Sequence, residues 1–315
     1  MKNRQRLKDL FCRRVEMKSR LIYILVYVGM WLFSLLPFRL LYIFSDINYF
    51  FTYYIIRYRR SVTRQNLCNS FPHQSKEWRK KVEKRFYHYI CDYLLEEIKL
   101  MHLSLQELEQ RMDYINKEEF LRMIDKYGGI ILMIPHYANF EWIIGMGSIM
   151  RPEDVPVQVY KPLHDFYLDR LFKKIRSKFG GYNVPKHSTV REIIKLKKQG
   201  KKMAIGLITD QSPNVFEAHY WTTFLNQDTV FMNGAEKIAK LMKFPVFYCS
   251  LTKKKRGYCS VDFQLLTEHP EQTTDGEITE LFARRVEQTI ISEPAYWFWS
   301  HRRWKRKREE TKKDK

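Results

Sequence analysis

The amino-acid sequence predicts an α/β protein, with a mixed sheet flanked by helices on both faces and an N-terminal hydrophobic membrane segment. Three observations lead to this fold class. From residue 128 onward, short apolar runs alternate with amphipathic stretches, which is typical of strands that alternate with helices. Residues 74–113 carry apolar side chains at three-and-four spacing, which indicates helices. Residues 21–56 are aromatic and aliphatic and lie between two basic blocks, a composition that favours a membrane surface.

The N-terminal segment contains two apolar runs, residues 21–36 and 40–56, on either side of Pro37. At about 1.5 Å per residue, neither run comfortably crosses a hydrocarbon core of roughly 30 Å. No small-residue cleavage site follows, so the segment does not resemble a secretory signal. Basic residues flank it on both sides, and positive residues stay cytoplasmic. A shallow hairpin or an interfacial helix therefore fits better than a single crossing, and the alternative is a buried helix of the soluble core.

Apolar runs and helix-ending glycines predict the elements of the α/β region. Strands are expected at residues 130–134, 155–160, 203–208, 245–252 and 258–266. Helices are expected at residues 139–150, 165–179, 188–198, 233–242 and 277–291. The chain then divides into a basic cytoplasmic N-terminus (1–20), a membrane anchor or hairpin (21–56), an α/β domain (57–305) and a basic tail (306–315).

The net charge of +21, from 56 basic and 35 acidic residues, restricts the partners of the chain. Such a field favours nucleic acid, an anionic membrane or an acidic carrier protein. No nucleic-acid-binding motif accompanies the charge, and together with the apolar N-terminal segment this argues against a nucleic-acid partner. The five cysteines show no CxxC spacing, which argues against a disulfide framework and a zinc site. We expect no bound metal.

A base for proton transfer is suggested by the spacing His-x4-Asp/Glu, because an acidic residue at hydrogen-bond distance can orient an imidazole. The spacing alone selects nothing, since it occurs four times: His102/Glu107, His136/Glu141, His164/Asp169 and His187/Glu192. The first pair lies in a helical region without a strand end. The third lies along one helix, where residues five apart diverge. The fourth is explained by a capping box formed by Thr189 and Glu192.

His136 differs from the other three histidines because it follows a buried strand and Pro135. It therefore lies at the carboxyl end of a strand, where open α/β sheets place their ligands. Asn139 is a good N-cap for the helix that follows, and Glu141 falls in the first turn of that helix. A carboxylate at this position is favoured by the helix dipole even without a function. The context nevertheless selects His136 and Glu141 as the catalytic pair.

The segment His136-Tyr-Ala-Asn-Phe-Glu141-Trp resembles the lipid A biosynthesis acyltransferase family, whose members add late, secondary acyl chains of the lauroyl or myristoyl type. The family belongs to the wider lysophospholipid acyltransferase superfamily, and its block is His-[Phe/Tyr]-Gly-Asn-Trp-Glu. Here Ala138 and Phe140 replace the usual Gly and Trp. The likeness covers about residues 35–305. Further blocks agree in order: Arg60-Ser-Val-Thr-Arg64, Tyr160-Lys-Pro, Thr209-Asp210-Gln211, Asn233-Gly234 and Trp299-Ser-His-Arg-Arg303-Trp304-Lys305.

The resemblance implies a glycerol-phosphate-acyltransferase-like fold and acyl transfer from an acyl carrier protein thioester to a hydroxyl of a lipid A precursor. The acceptor would be an anionic lipid, met at the cytoplasmic face of the bacterial inner membrane, with no cofactor and no metal. His136 would take the hydroxyl proton, and Glu141 would fix the tautomer of its imidazole. Arg176 would bind a phosphate or stabilise the oxyanion. The substrate-binding residues implied are Asn139, Arg176, Asp210 and Gln211.

Two alternatives stay open at this point. The nearest is an O-acyltransferase that acts on another membrane lipid, such as an aminolipid or a lysophospholipid. The Asp210-Gln211 block and the Trp-rich C-terminal block favour the lipid A branch of the superfamily. The second alternative is an inactive membrane-surface protein that binds anionic lipid through its basic ends. The intact pair His136/Glu141 argues against it.

Overall fold

The computed structural model describes residues 23–163, 165–214 and 220–308. The predicted basic N-terminus and most of the predicted basic tail lie outside the described residues. The described part of the chain starts with helix α1 (residues 23–35), followed by helix α2 (Phe38–Phe50), which continues into one π-helical turn (Phe51–Ile55). Pro37 separates the two helices, because proline cannot continue the first helix and suits the start of the next. Among all the described residues, no helix is both long enough and apolar enough to cross a bilayer.

Three further helices precede the sheet: α3 (Arg60–Ser70), α4 (Lys76–Lys99) and α5 (Leu105–Glu109). Helix α4 begins at Ser75, whose side chain accepts the N–H of Trp78. Its carboxyl end is stabilised by Lys178, which donates to the backbone carbonyls of Leu100, Met101 and Leu103 at 3.2, 2.9 and 2.7 Å. A cation at this end complements the helix dipole. Helix α2 packs against α4.

The strands, in chain order, are β1 (Met112–Ile115), β2 (Gly129–Ile134), β3 (Val155–Tyr160), β4 (Tyr182–Pro185), β5 (Met203–Ile208), β6 (Tyr220–Phe224), β7 (Gln227–Phe231), β8 (Val246–Lys255) and β9 (Tyr258–Thr267). Seven of them form one sheet in the order β1-β9-β8-β2-β5-β3-β4, and β6 and β7 form a separate hairpin. The pair β8/β9 is antiparallel and the other pairs of the large sheet are parallel. The predicted mixed sheet is therefore confirmed.

The remaining α-helices are α6 (Lys117–Tyr127), α7 (Phe166–Arg176), α8 (Thr189–Lys198), α9 (Gly234–Met242) and α10 (Glu277–Ser292). They flank the sheet: α6 and α9 contact β2, α8 contacts β4, and α10 contacts β8 and β9. The central strand β2 is buried along its whole length, so its residues are apolar without alternation, as expected for a strand covered on both faces.

Several predicted elements need correction. The stretch predicted as a helix at residues 139–150 is a 3₁₀-helix, Phe140–Ser148. Two glycines explain its tight packing, and a Cβ added at Gly147 would lie 2.7 Å from the carbonyl oxygen of Phe179. The helix predicted at 165–179 is α7 followed by a 3₁₀ turn, Ser177–Phe179. The helical prediction for 74–113 fails at its end, because Met112 and the next residues form β1.

The strands β4, β6 and β7 are absent from the sequence-based prediction. Strand β4 has four residues and β6 and β7 have five each, too short to show a reliable period. A two-residue turn joins β6 to β7, and both of its residues, Leu225 and Asn226, have positive φ angles of 48° and 63°. Such backbone is typical of the turns that match the twist of a hairpin.

Candidate active site

His136 and Asp210 lie side by side at the carboxyl edge of the sheet. Strands β2 and β5 are parallel neighbours, and Ile134 pairs with Ile208 in their register. Each functional residue follows its strand end by two positions. The parallel register therefore brings an imidazole and a carboxylate together at the edge where α/β sheets bind ligands.

The carboxylate of Asp210 holds His136 by two contacts. Its Oδ1 lies 2.5 Å from the imidazole Nδ1, and its Oδ2 accepts the backbone N–H of His136 at 2.9 Å. Oδ2 also accepts the indole N–H of Trp297 at 2.8 Å. Burial alone would raise the pKa of Asp210, but attraction to His136 and these hydrogen bonds outweigh burial and hold that pKa below its usual value. The carboxylate therefore stays charged, and Nε2 of His136 remains for another partner.

The backbone after His136 is held in an unusual conformation. Ala138 has φ of +47°, a region where glycine is favoured over residues with a Cβ. Its N–H donates to the carbonyl of Tyr296 at 2.9 Å, and its carbonyl accepts the hydroxyl of Tyr89 at 2.7 Å. This conformation is the physical reason for the glycine that related sequences place at position 138. Alanine occupies it here at the expense of some backbone strain.

Glu141 contacts Arg176 rather than His136. The two guanidinium nitrogens Nη2 and Nε of Arg176 donate to the carboxylate of Glu141 at 2.8 and 3.3 Å. Burial alone would lower the pKa of Arg176, but attraction to Glu141 outweighs burial and raises it. The expectation that Glu141 fixes the imidazole of His136 therefore needs correction: in this structure, Asp210 occupies that place.

A cavity of about 700 Å³ opens beside these side chains. His136, Glu141, Arg176 and Gln211 line it. Its apolar wall comes from the strand ends, the 3₁₀-helix and α7: Ile134, Phe140, Ile143, Ile144, Met146 and Phe172. Such a cavity, with a few polar groups grouped at one side, suits a ligand that has a long apolar part and a reacting polar end.

Asn139 does not line this cavity. It is 1% exposed, and its amide donates to Glu96 Oε2 at 2.8 Å. Its side chain does not cap the following helix either. Asn139 does occupy the predicted N-cap position, but its amide contacts Glu96 rather than the helix, and its binding of a substrate stays a prediction. Its contact joins the catalytic loop to helix α4.

The C-terminal segment contributes two ionisable groups near Asp210 that local patterns did not predict. Burial lowers the pKa of His301 to about 4, and its Nε2 accepts the backbone N–H of Ser212 at 3.3 Å. Arg303 is completely buried and donates to Thr229 Oγ1 at 2.7 Å. Burial lowers the pKa of Arg303 to about 9, while attraction to Asp210 opposes that change. The closing block of the sequence contains both residues, but nothing in its spacing relates them to Asp210.

The histidines of the other three His-x4-Asp/Glu pairs do not line the cavity or are not among the described residues. His102 contacts Ser34 Oγ at 2.5 Å through its Nδ1, which joins α1 to the end of α4. His187 is exposed. The capping box expected at Thr189 does not form, because its hydroxyl donates to the carbonyl of Lys186 at 2.9 Å. His164 lies outside the described residues.

One group of acidic and histidine side chains within the described residues has a spacing that a cation could use: Asp46, His88 and Asp92. Arg256 occupies this group already. Its Nη2 lies 2.6 Å from Asp46 Oδ1 and 2.6 Å from Asp92 Oδ1. The guanidinium thus supplies the positive charge that these carboxylates require, and we assign no metal to them.

An imidazole held by a buried carboxylate, at the edge of an α/β sheet and beside a largely apolar cavity, is an arrangement that suits general-base chemistry on substrates with long apolar groups. The chain belongs to the bacterial lipid A biosynthesis acyltransferases, because the model of that family matches residues 10–306, nearly the whole chain. The protein is therefore an acyltransferase. A comparison with curated proteins finds no match.

Proposed function

We propose that this protein transfers a fatty acyl chain from an acyl carrier protein thioester to a hydroxyl of a lipid A precursor. His136 acts as the general base, and Asp210 orients it. The observation that supports this proposal is the contact of 2.5 Å between His136 Nδ1 and Asp210 Oδ1, beside the cavity. The acceptor would be met at the cytoplasmic face of the bacterial inner membrane.

The tautomer of His136 determines the chemistry. In the proposed tautomer, the Nδ1–H of His136 donates a hydrogen bond to Asp210. The lone pair of Nε2 is then free to accept a proton. The acceptor hydroxyl would lose its proton to Nε2 as its oxygen attacks the thioester carbonyl. The tetrahedral intermediate would then expel the carrier's thiolate, which takes the proton back from the imidazolium. An ester forms, a thioester breaks, and Asp210 stabilises the transient positive charge on the imidazole.

Arg176 is our candidate for stabilising the oxyanion of that intermediate. Its guanidinium has five N–H groups, of which the contacts with Glu141 use two. Glu141 orients the guanidinium in the cavity wall and offsets its charge. Gln211 lines the same cavity and offers an amide to the substrate.

Mass spectrometry of membrane lipids, with and without the protein, tests the proposed function. Loss of one acyl chain from lipid A in cells that lack the protein, and its return with the wild-type gene, is the expected result. A purified assay with acyl carrier protein thioester and a lipid A precursor should reproduce the transfer. Unchanged lipid A together with a missing acyl chain on another lipid would assign the protein to the alternative acceptor class.

Helices α1 and α2 present apolar side chains to the surface, and we propose that this surface lies in the membrane interface. The exposed side chains of α2 recur at three-and-four spacing and are between 43% and 55% exposed: Leu40, Ile43, Phe44 and Ile47. Helix α1 exposes apolar side chains at the same period (Ile24, Val28, Trp31, Leu32 and Leu35) and also beside it (Leu25, Val26 and Phe33). A continuous apolar stripe on a helix is expected to contact another apolar phase. Exposed Arg39, Arg57 and Arg59 border it, and cations there suit anionic headgroups.

Replacing Ile43 and Phe44 by glutamate should reduce binding to vesicles that contain anionic lipid at least about tenfold, since each buried apolar side chain contributes roughly 1.5–3 kcal/mol. Flotation with liposomes measures the bound fraction. The matched control replaces Leu241 and Ile291, which are 63% and 59% exposed on α9 and α10, and should bind like the wild type. Equal loss in both double variants would contradict a membrane contact through α2.

The exposed basic side chains would attract an acidic carrier protein and so determine where it approaches. The cluster at residues 253–256 is largely compensated, since Lys253 and Arg256 pair with Asp92 and Lys254 pairs with Asp113. Lys174 is exposed and lies on α7, the helix that also carries Arg176. We therefore propose that the carrier approaches over α7 rather than over the β8–β9 turn.

The value of kcat/KM for an acyl carrier protein donor should fall steeply from about 50 to about 300 mM salt, because screening weakens electrostatic steering over this range. A short acyl-CoA, which lacks the acidic carrier surface, should be a poorer donor with a shallower salt response. Lys174→Glu should lower the carrier rate several-fold at low salt, whereas Lys198→Glu serves as the charge-matched control. A carrier rate that is flat with salt, or an acyl-CoA that works equally well at low salt, would contradict this donor.

A further inference from the structure

We propose that Glu96 of helix α4 is a positioning residue for acyl transfer, because it holds the catalytic loop and ties that loop to helix α2. The catalytic loop comprises residues 135–139, between β2 and the 3₁₀-helix, and carries His136. This role rests on the proposed function, since it concerns the geometry of the base in that reaction. Glu96 does not line the cavity, so it acts through its neighbours rather than on a substrate.

The carboxylate of Glu96 accepts hydrogen bonds from three separate segments of the chain. Its Oε2 accepts the amide N–H of Asn139, in the catalytic loop, at 2.8 Å. Its Oε1 accepts the hydroxyl of Tyr42, on α2, at 2.9 Å and the backbone N–H of Gly257, in the β8–β9 turn, at 3.0 Å. Glu96 is only 2% exposed. A buried carboxylate is unfavourable without such donors, which fixes its place between the three segments.

One face of α4 contacts the catalytic loop and the residue that follows it. Tyr89, Tyr93 and Glu96 are spaced by four and three residues, so they lie on the same side of the helix. The hydroxyl of Tyr89 donates to the carbonyl of Ala138 at 2.7 Å, and Glu96 binds the next residue. The ring of Tyr93 stacks on Phe140, with 5.5 Å between the ring centroids. The backbone from residue 138 to residue 140 is therefore held against a single helix.

The catalytic loop depends on such contacts because its backbone is strained. Ala138 has φ of +47°, and a residue with a Cβ keeps this conformation only where the surrounding structure imposes it. The contact between Glu96 and Asn139 follows directly after the strained residue. The ring of Phe140 lies 5.0 Å from the imidazole of His136, measured between centroids. A shift of this backbone would therefore move the base relative to the cavity.

Helix α2 reaches the catalytic loop through Glu96. By the helical period, Tyr42 lies on the side of α2 that faces away from its exposed apolar stripe. Burial and the negative charge of Glu96 raise the pKa of Tyr42 above its usual value, so its hydroxyl stays protonated and donates. A Cβ on Gly257 would collide with that hydroxyl, so glycine in the turn lets Tyr42 reach the carboxylate. Two contacts, Tyr42–Glu96 and Glu96–Asn139, thus connect α2 with the loop of the base.

A second hydrogen bond between α2 and α4 provides a matched control. Ser45, one turn after Tyr42, donates its hydroxyl at 2.6 Å to Oδ1 of Asp92, one turn before Glu96. Both carboxylates are buried. Asp92 also accepts two hydrogen bonds from Arg256, and none of its hydrogen bonds within the described residues goes to the catalytic loop. Ser45→Ala therefore removes a hydrogen bond of the same kind without touching that loop.

Four single variants form the test. Glu96→Leu removes all three contacts with a side chain of similar size, whereas Glu96→Gln keeps groups that can bond to Tyr42 and to the amide of Asn139. Tyr42→Phe removes the hydroxyl from α2 alone, and Ser45→Ala is its control. We measure kcat and KM for acyl transfer, the melting temperature, and hydrogen exchange of residues 135–142 by mass spectrometry. The exchange measurement requires no turnover.

Glu96→Leu should lower kcat by about 10²-fold with KM little changed, because a displaced base impairs proton transfer rather than binding. Glu96→Gln should retain most of the activity. Tyr42→Phe should lower kcat about threefold to tenfold, the scale of one hydrogen bond. It should have no further effect in a Glu96→Leu background, because residues that act through one contact are not additive. Loop exchange should accelerate in Glu96→Leu and Tyr42→Phe.

Ser45→Ala should lower the melting temperature about as much as Tyr42→Phe does, but its kcat and loop exchange should match the wild type. A wild-type kcat in folded Glu96→Leu, or equal losses of kcat in Ser45→Ala and Tyr42→Phe, would overturn the positioning role while leaving acyl transfer intact. If Glu96→Leu does not fold, the comparison of Tyr42→Phe with Ser45→Ala decides. If no thioester is turned over, the proposed function fails, and the exchange measurement alone decides whether Glu96 holds the loop.

Discussion

Replacing His136 by alanine should reduce kcat/KM for acyl transfer by about 10²–10⁴-fold, the contribution of a positioned general base. The variant keeps the cavity and the Glu141–Arg176 pair but has no group at the position of Nε2 to take the hydroxyl proton. In the wild type, the side chain of His136 is 18% exposed, so removing the imidazole leaves no closed cavity in the core. Transfer of a labelled acyl chain measures the activity, and thermal unfolding together with vesicle flotation should show an intact, membrane-binding protein.

The matched control for this prediction is His187→Ala, which removes an exposed histidine that also has an acidic residue five positions later. It should behave like the wild type in all three measurements. Near-wild-type turnover in His136→Ala, with turnover lost in His187→Ala, would show that the base had been assigned to the wrong pair.

Asp210→Asn should lower kcat by about 10³–10⁴-fold, because asparagine can no longer hold the imidazole in the tautomer that leaves Nε2 unprotonated. Loss of the negative charge also removes an attraction that stabilises a positively charged imidazole beside it. The acidic limb of the kcat/KM pH profile should therefore move to lower pH. A purely structural defect would lower the rate at every pH without moving that limb.

Glu141→Gln provides the comparison for Asp210→Asn, because it also replaces a carboxylate of the cavity region by the amide of the same shape. Glu141→Gln should reduce activity less than Asp210→Asn does, and it should leave the acidic limb of the kcat/KM pH profile unchanged, since Glu141 contacts Arg176. If Glu141→Gln shifts the pH profile while Asp210→Asn does not, Glu141 is the orienting carboxylate after all. Because Asp210 also accepts the indole N–H of Trp297, the melting temperature of each variant must accompany its kinetics.

Local sequence patterns were sufficient to predict most strands of the large sheet and several of the helices that flank it. Buried strands such as β2 are continuous apolar runs of fixed length, and helices such as α10 repeat at 3.6 residues. Gly180 ends the helical segment before β4 with φ of +84°, as the sequence indicates. These elements depend on residues that are neighbours in the chain. The position of His136 after a buried strand is of the same kind, which is why its placement at the cavity could be predicted.

The partner of His136 depends on residues far apart in the chain. Asp210 lies 74 positions from His136, and only the pairing of Ile134 with Ile208 across parallel strands brings the two together. The sequence contained a signal, because both residues follow apolar strands. Adjacency of those strands in the sheet, however, is a property of the topology, in which β3 and β4 lie beyond β5 although they precede it in the chain.

The same reason explains the short elements that pattern reading missed. Strand β1 is stabilised by parallel pairing with β9, in which Met112 pairs with Cys259, 147 residues later. A strand of four residues shows no local pattern that would reveal this distant partner. The 3₁₀ geometry of Phe140–Ser148 follows from the close approach of Gly147 to the backbone of Phe179. Glu141 lies in the first turn of this segment and contacts Arg176.

By itself, the sequence determined the α/β class, the family resemblance, the apolar character of the first two helices and the position of His136 at the end of a strand, because each depends on composition or on near neighbours. The tertiary structure alone decided that Asp210 rather than Glu141 contacts His136, and that the side chain of Asn139 contacts Glu96 rather than the cavity. These contacts depend on strand order and register. Residues that are far apart in the sequence but meet in the fold produce no local periodic pattern from which their contact could be predicted.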